Sequence, residues 1–488
     1  MFKKIGALFF QNRDTRQTIA KNVFWLSVGQ LGSRVLRAAI IIYAARVLGV
    51  AEYGVFSYAL GLASFFTIFA DIGVSQILTR EASREPKSAS SYFATSFWIK
   101  STLLLFTALL VILVAPSFSK IEAAKNLLPF VALLVIFDNL REFSNAFFRA
   151  KERMEFEALI TVAMNTVIVI FGFVALYFYP TAKSITFSYI SSAGAGFMAA
   201  IFLLREEWSR ILVNFNPRLI LPIMQSAWPI ALLSLLGAFM LNVDIIMLGW
   251  FRSAAEIGLY SAGQKVAQIF YTLPTIIASA IFPALSRAVN QEEKQKATLI
   301  MEKGLAVVFF IALPLTAGGI ALSESILRFL YGQEYIAGST AFQILIATIL
   351  VVFPGPLLGN LVLAYDKQKK IAGYVALTSL GNVILNFLLI PRFGIVGAAT
   401  ATLVVQVMYI GLIWEMMKRI NYFKILPHLK KMSVAAVLMG TLSFILNKIG
   451  LSVLVNITIS GAFYIAALCL LKENLVEEGK FLLKVIRK

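Results

Sequence analysis

Residues 21–46 read KNVFWLSVGQLGSRVLRAAIIIYAAR. Apart from Arg34 and Arg37 the middle of this stretch is apolar on nearly every side, with no two-residue alternation. Crossing hydrocarbon about 30 Å thick takes roughly 20 helical residues, whereas a barrel strand alternates over about 10. The stretch therefore reads as a membrane-spanning helix. Working outward, similar runs recur near 53–79, 92–115, 126–149, 156–179, 184–204, 222–250, 257–283, 299–322, 339–364, 371–391, 395–417, 431–447 and 452–471. Of the 488 residues 59% are hydrophobic and only 14% charged, against about 25% charged in a soluble domain. These proportions exclude a soluble enzyme and a disordered chain. The expected fold is an all-α polytopic membrane protein with about 14 transmembrane helices.

The net charge of +19 comes from 44 Lys and Arg against 25 Asp and Glu. In a soluble chain such an excess suggests nucleic acid; in a membrane chain its placement matters more, because cytoplasmic loops collect cations. With the N-terminus in the cytoplasm, alternate loops hold 31 of the cations and the opposing loops 8. The remaining five, Arg34, Arg37, Lys100, Arg141 and Lys265, fall inside spans. That bias supports the spans and puts both termini in the cytoplasm, with lipid rather than nucleic acid as the surrounding partner. The single Cys469 and single His428 leave no intrachain disulfide and no cysteine or histidine metal cluster. No P-loop, G-x-S-x-G or zinc motif is present, so no cofactor, no metal and no enzymatic chemistry are expected. Met1 to Arg16 carries charge at both ends and no cleavage site, so a cleavable signal peptide is not expected there. Met1 to Arg13 and Leu475 to Lys488 mix Leu, Phe and Ile with Lys and Arg, the pattern of amphipathic helices on an anionic surface.

The chain also repeats itself. Ala51-Glu52-Tyr53-Gly54-Val55-Phe56-Ser57 returns 204 residues later as Ala255-Glu256-Ile257-Gly258-Leu259-Tyr260-Ser261. An even number of spans separates the copies, which makes the repeat parallel, about an axis along the membrane normal. The expected organisation is a cytoplasmic amphipathic segment 1–20, a six-helix bundle 21–210, a second bundle 217–420, an appended helix pair 428–472 and a basic tail 473–488. Internal prolines gather in the second half, at Pro229, Pro274, Pro314, Pro354 and Pro356, where each removes a backbone bond. They either shape packing or let that half bend.

Several stretches resemble the polysaccharide flippases of the multidrug/oligosaccharidyl-lipid/polysaccharide exporter superfamily. They are Ala45-Arg46-Val47-Leu48-Gly49-Val50-Ala51-Glu52-Tyr53-Gly54-Val55-Phe56-Ser57 with Ala70-Asp71-Ile72-Gly73, then Val243-Asp244-Ile245-Ile246-Met247-Leu248-Gly249, and Leu330-Tyr331-Gly332-Gln333-Glu334-Tyr335. The resemblance covers nearly the whole chain. It implies an inner-membrane carrier that moves a polyprenyl-pyrophosphate-linked oligosaccharide between leaflets by alternating access around a central cavity. It also implies partnership with a polysaccharide polymerase or other assembly proteins; a monomer is expected.

An anionic lipid head crossing hydrocarbon needs fixed cations, and a guanidinium grips phosphate with two bonds at once. Arg34 and Arg37 share one face of the first span, three residues apart. A charge at that depth costs about 2.5–3.5 kcal/mol on insertion scales. The pair either lines the cavity or is matched by acids on the fourth span. Lys100, Arg141 and Asp71 lie at similar depth, and Asp138, Arg141 and Glu142 stand at i, i+3 and i+4, so this group is either a structural ion-pair cluster or part of the substrate wall. An unpaired carboxylate there would take up protons readily, which makes Asp138 and Glu142, then Asp71 and Asp244, the candidates for ion coupling. Lys265 and Asp244 share a depth in the second half, as a salt bridge or as a cation in the opposite wall. Uncharged groups such as Asn139, Asn165, Asn360, Asn382 and Asn386 suit sugar hydroxyls or interhelical bonding alike.

Two alternative functions share this architecture, a peptidoglycan-precursor flippase and a drug or cation antiporter of the same superfamily. The intramembrane arginines speak against cationic drugs. A membrane-embedded glycosyltransferase would need a larger outer loop than the short ones here. The orientation is checked by reporters fused after Lys488. A fluorescent protein is expected to fluoresce and alkaline phosphatase to be inactive; the reverse pair of results contradicts a cytoplasmic C-terminus.

Overall fold

A computed structural model of the chain describes residues 15–424 and 426–471, with the side chains of 15–20, 23–24, 26–31, 34–35, 229–241 and 426–428 set aside. No β-strand occurs among the described residues. Ten helices there are long and apolar enough to cross a membrane, including Met154–Phe178, Ala182–Leu203, Lys294–Ala321 and the 53-residue Gln368–Ile420. The polytopic all-helical class expected from the apolar runs is therefore observed. The figure of about 14 remains the reading of those runs and the loop charges.

In chain order the main helices are α1 (Thr15–Phe66), α2 (Val74–Arg84), α3 (Ala89–Leu109), α4 (Leu128–Ala150), α5 (Met154–Phe178), α6 (Ala182–Leu203) and α7 (Ile220–Phe251). They continue as α8 (Ala254–Phe270), α9 (Leu273–Asn290), α10 (Lys294–Ala321), α11 (Ser323–Tyr331), α12 (Ser339–Val352), α13 (Gly355–Ala364), α14 (Gln368–Ile420), α15 (Leu426–Lys448) and α16 (Val453–Leu470). α4 has 23 residues but carries Asp138, Arg141 and Glu142 within it, so it falls outside the ten.

Two glycines break helices that are otherwise continuous. Gly49 in α1 (φ 71°, ψ 175°) and Gly394 in α14 (φ 56°, ψ −133°) occupy backbone regions closed to other residues. Each lies between two of the apolar runs read from the sequence. Two of the prolines coincide with breaks as well: Pro274 follows the turn at Tyr271 and Thr272, and Pro354 the turn between α12 and α13. Pro314 stays inside α10.

The chain forms two compact units, Met1–Gly258 and Leu259–Lys488. The repeat places α7 in the second bundle, yet α7 packs within the first unit. Ile245 closes on Gly61, and Ile223 and Ala227 join Val74 and Ile77 of α2 in one apolar cluster. Within this unit α1 and α5 run side by side in the same direction. Tyr43 and Phe173 have ring centroids 4.3 Å apart, and Gly172 leaves room for Ile40. An aromatic core at one end joins Phe93, Phe143, Phe147 and Phe148, with Trp208 edge-on to Phe93 at 5.5 Å.

In the second unit α15 and α16 pack on α10 through Met432, Met439, Tyr464 and Ala306. Ser443, Asn456 and Ser460 satisfy one another between the two appended helices: Ser443 donates to Ser460 (2.7 Å), Ser460 to Asn456 (3.0 Å) and Asn456 to the Ser443 carbonyl (2.9 Å). Buried polar groups in a bundle need such partners. His428, Met1 to Arg13 and Leu475 to Lys488 lie outside the described residues or side chains. The break at Gly49 is tested by Gly49→Ala, expected to destabilise the folded state by about 1–3 kcal/mol and to lower the unfolding temperature in detergent. An unchanged temperature contradicts the assigned backbone.

Candidate substrate-binding site

The intramembrane charges of the first unit fall into three groups with different surroundings. The first lies at the interruption between α1 and α2, where the chain passes through Asp71, Ile72 and Gly73 (φ 90°). An interrupted helix inside a membrane leaves backbone N–H groups that lipid cannot satisfy. Asp71 supplies the missing partner: its Oδ1 accepts from the N–H of Gly73 (3.1 Å) and of Ser75 (3.2 Å), and its Oδ2 accepts from the Ser75 hydroxyl. A carboxylate also suits the positive end of α2. The Lys100 ammonium of α3, 0% exposed, donates to the same Oδ2 at 2.6 Å and to Asn139 of α4 at 3.4 Å. Lys100 and Asp71 thus brace α2 and α3 at the break.

The second group runs along α4 towards its C-terminal end. Arg141 pairs with Asp138 at 2.8 Å and Glu142 at 3.6 Å, its stem lying over Gly196 of α6. Glu142 accepts from Arg149 at 2.7 Å, and Arg149 also binds Glu157 at the start of α5. Lys21 and Glu155, both buried, meet at 2.9 Å. Sequence reading had the cluster of Asp138, Arg141 and Glu142 but missed Lys21, Arg149, Glu155 and Glu157, which extend it. The available signal was the acidic first turn of α5, Glu155 and Glu157, directly after the cationic turn Arg149 to Arg153. Within the chain of charges Asp138 is the open end, its side chain 51% exposed.

The third group is Arg37. It lies on α1, 12 residues before the Gly49 break, or about 18 Å along a helix axis. Its side chain is exposed, and its Nε donates to Asn165 of α5 at 3.4 Å. Asn165 is fully buried and holds its own place by donating to the Thr161 carbonyl at 2.6 Å. Among the described residues Arg37 has no ion-pair partner. An exposed guanidinium oriented by one neutral amide keeps most of its donors for an incoming acceptor. The Arg34 side chain lies outside the described ones. Asp244 is buried in the first unit, and Lys265 is exposed in the second.

Comparison with known proteins then identifies the family. A family described as polysaccharide biosynthesis protein matches residues 19–289, more than half of the chain. The chain belongs to this family. A second family, MatE, matches residues 229–388. Among curated proteins, a probable flippase, AglR, of Haloferax volcanii is 32% identical over 166 residues, 33% of this chain and 34% of that protein. The capsular polysaccharide biosynthesis protein CapF of Staphylococcus aureus is 20% identical over 80% of this chain and 96% of its own length. The matches to AglR and to the probable low-salt glycan biosynthesis flippase Agl15 of the same organism span about a third of those proteins. Among solved structures, the lipid II flippase MurJ in an inward closed conformation shares the fold with a TM-score of 0.76. It is 17% identical over 93% of this chain and 100% of that one. An inward-facing multidrug resistance MATE family transporter gives a TM-score of 0.65, covering 82% of this chain and 98% of its own.

The brace between Lys100 and Asp71 is tested by a double-mutant cycle read by thermal unfolding. Lys100→Ala leaves Asp71 without its cation and is expected to cost about 3–5 kcal/mol. With Asp71→Ala added, the total loss should be smaller than the sum of the two single losses, since the two changes share one interaction. Strict additivity contradicts the brace.

Proposed function

We propose that this protein carries a polyprenyl-pyrophosphate-linked oligosaccharide, the repeat unit of a surface glycan, from the inner to the outer leaflet of the cell membrane. In this reading it is a multi-pass transporter with both termini in the cytoplasm, working by alternating access without catalysing a reaction. Arg37 is the observation that carries it. A cation at that depth, exposed and lacking a carboxylate partner among the described residues, is costly in hydrocarbon and useful in a water-filled path. A pyrophosphate offers the charge and the oxygens that a guanidinium binds with two bonds. The polyprenyl tail stays in lipid, so only the polar head has to be enclosed.

Family membership supports a glycan substrate, as do the names of the relatives, which include flippases and a capsule biosynthesis protein. Arg34, three residues before Arg37, is the second candidate for the pyrophosphate, and Lys265 the candidate cation of the second unit. Arg141 is mostly occupied by Asp138 and Glu142, and Lys100 by Asp71, which makes both positioning residues for the wall in this reading. Asp138, the open end of the charge chain, is the candidate for proton coupling, with Glu142 behind it. A peptidoglycan precursor carries the same diphosphate and differs in its sugar, so it competes on glycan identity and not on this chemistry.

The experiment is flipping of polyprenyl-pyrophosphate-linked N-acetylglucosamine in proteoliposomes. Arg37→Ala is expected to lower the rate at least ten-fold with unchanged folding, and Arg37→Lys to restore part of it by returning the charge without the fork. An unaltered rate in Arg37→Ala contradicts the reading.

A further inference from the structure

Tyr189, Ser192 and Gly196 share one face of α6, at spacings of three and four residues. The neighbours of that face fix where it points. Ser192 donates to the Met164 carbonyl of α5 at 2.6 Å, and Asn165, the next residue of α5, accepts from Arg37 at 3.4 Å. Gly196 lies against the Arg141 stem and the Met164 side chain. The face that carries Tyr189 is therefore turned towards the group around Arg37, and the Arg37 charge acts on the Tyr189 hydroxyl.

Helix α1 reaches Tyr189 from both sides of its break. Beyond Gly49, Phe56 meets the Tyr189 ring edge-on with centroids 5.3 Å apart, and Glu52 accepts from the N–H of Ala182 at 2.7 Å, which fixes the start of α6. Arg37 on the first segment and Phe56 on the second thus bracket the tyrosine. The ring is partly buried and held, while the hydroxyl is hydrogen-bonded by none of the described residues. A phenol in an apolar setting usually finds a partner for its O–H. The charge that faces this one belongs to a guanidinium, which offers donors only and cannot accept from it. The Asn165 oxygen, the nearby amide acceptor, is used by Arg37. The phenolic O–H is therefore open to an acceptor on a ligand, beside a cation open to an anion.

We propose that Tyr189 reads the first sugar of the carried lipid, the one joined to the diphosphate that Arg37 holds. The linkage places the two side by side, because a single oxygen joins that sugar to the terminal phosphorus. A pyranose presents C–H groups on its faces and oxygens at its rim; tyrosine presents an apolar ring with a polar tip. The phenolic O–H donates to a hydroxyl or acyl oxygen of the sugar, and the ring lies alongside its C–H groups. Arg37 recognises the charge, and Tyr189 recognises what the charge carries. A site that hydrogen-bonds its ligand in this way discriminates against one lacking the acceptor. The inference rests on the transport reading above and deepens its site.

Two probes separate the roles: polyprenyl pyrophosphate and polyprenyl-pyrophosphate-linked N-acetylglucosamine, each titrated against the purified protein by native mass spectrometry. Tyr189→Phe keeps the ring and its contact with Phe56 and breaks no hydrogen bond among the described residues, so folding should be unchanged. It is expected to weaken binding of the sugar-bearing lipid about five-fold, the worth of one hydrogen bond, and to leave the bare pyrophosphate unaffected. Tyr189→Ala, which also removes the ring, should weaken the sugar-bearing lipid further. Arg37→Ala should weaken both. A Tyr189→Phe variant that loses affinity for neither lipid, or for both equally, overturns the sugar assignment. If Tyr189→Phe loses the sugar-bearing lipid alone while Arg37→Ala keeps both, the sugar assignment stands and the diphosphate reading falls.

Discussion

A charge placed at mid-membrane must be paired, wetted or moved to an interface, and this constraint organises the first unit. Lys100 and Arg37 sit on apolar helices and answer it in opposite ways. The Lys100 ammonium is fully buried and spent on Asp71, whose other oxygen holds the backbone of a broken helix. The Arg37 guanidinium is exposed and donates to a neutral amide. Removing the first would leave the carboxylate at the helix break without its cation; removing the second would leave one buried asparagine that already has another bond. Identical charge therefore comes with two different surroundings, one buried against a carboxylate and one exposed beside an amide, and the proposed function assigns the second to a ligand.

The same logic accounts for the acidic side of the site. Asp71, Glu142, Glu155 and Glu157 are each held by a cation or by backbone N–H groups, so their charge is already used. Asp138 shares Arg141 but keeps half of its side chain open. Small residues let these groups come together: Gly196 seats the stem of Arg141, and Gly172 seats Ile40 beside the turn that carries Arg37.

Much of the fold was legible because the bilayer imposes one rule on every span. Apolar length located the helices. The quoted motif Leu48-Gly49-Val50 contains the residue whose backbone breaks α1, although nothing in periodicity marks a positive φ. Packing was less legible. The repeat groups α7 with the second half, while contacts through Gly61, Ile223 and Ala227 bind it into the first unit. Side-chain fit, and not sequence symmetry, decides which segments pack. For the site, the i, i+3, i+4 spacing of Asp138, Arg141 and Glu142 allowed their mutual pairing as one of two readings, and the three side chains do pair. The partners of Lys21 and Arg149 lie 134 and 8 residues away, on α5. Helical spacing within one segment cannot find a partner on another.

The account turns on one claim, that the Arg37 guanidinium receives a diphosphate. Native mass spectrometry of the purified protein titrated with polyprenyl pyrophosphate and with polyprenyl alcohol tests it directly. The account predicts that the diphosphate binds at least ten-fold tighter than the alcohol in the parent and that Arg37→Ala removes most of this difference. Equal preference for the diphosphate in the parent and in Arg37→Ala would contradict it.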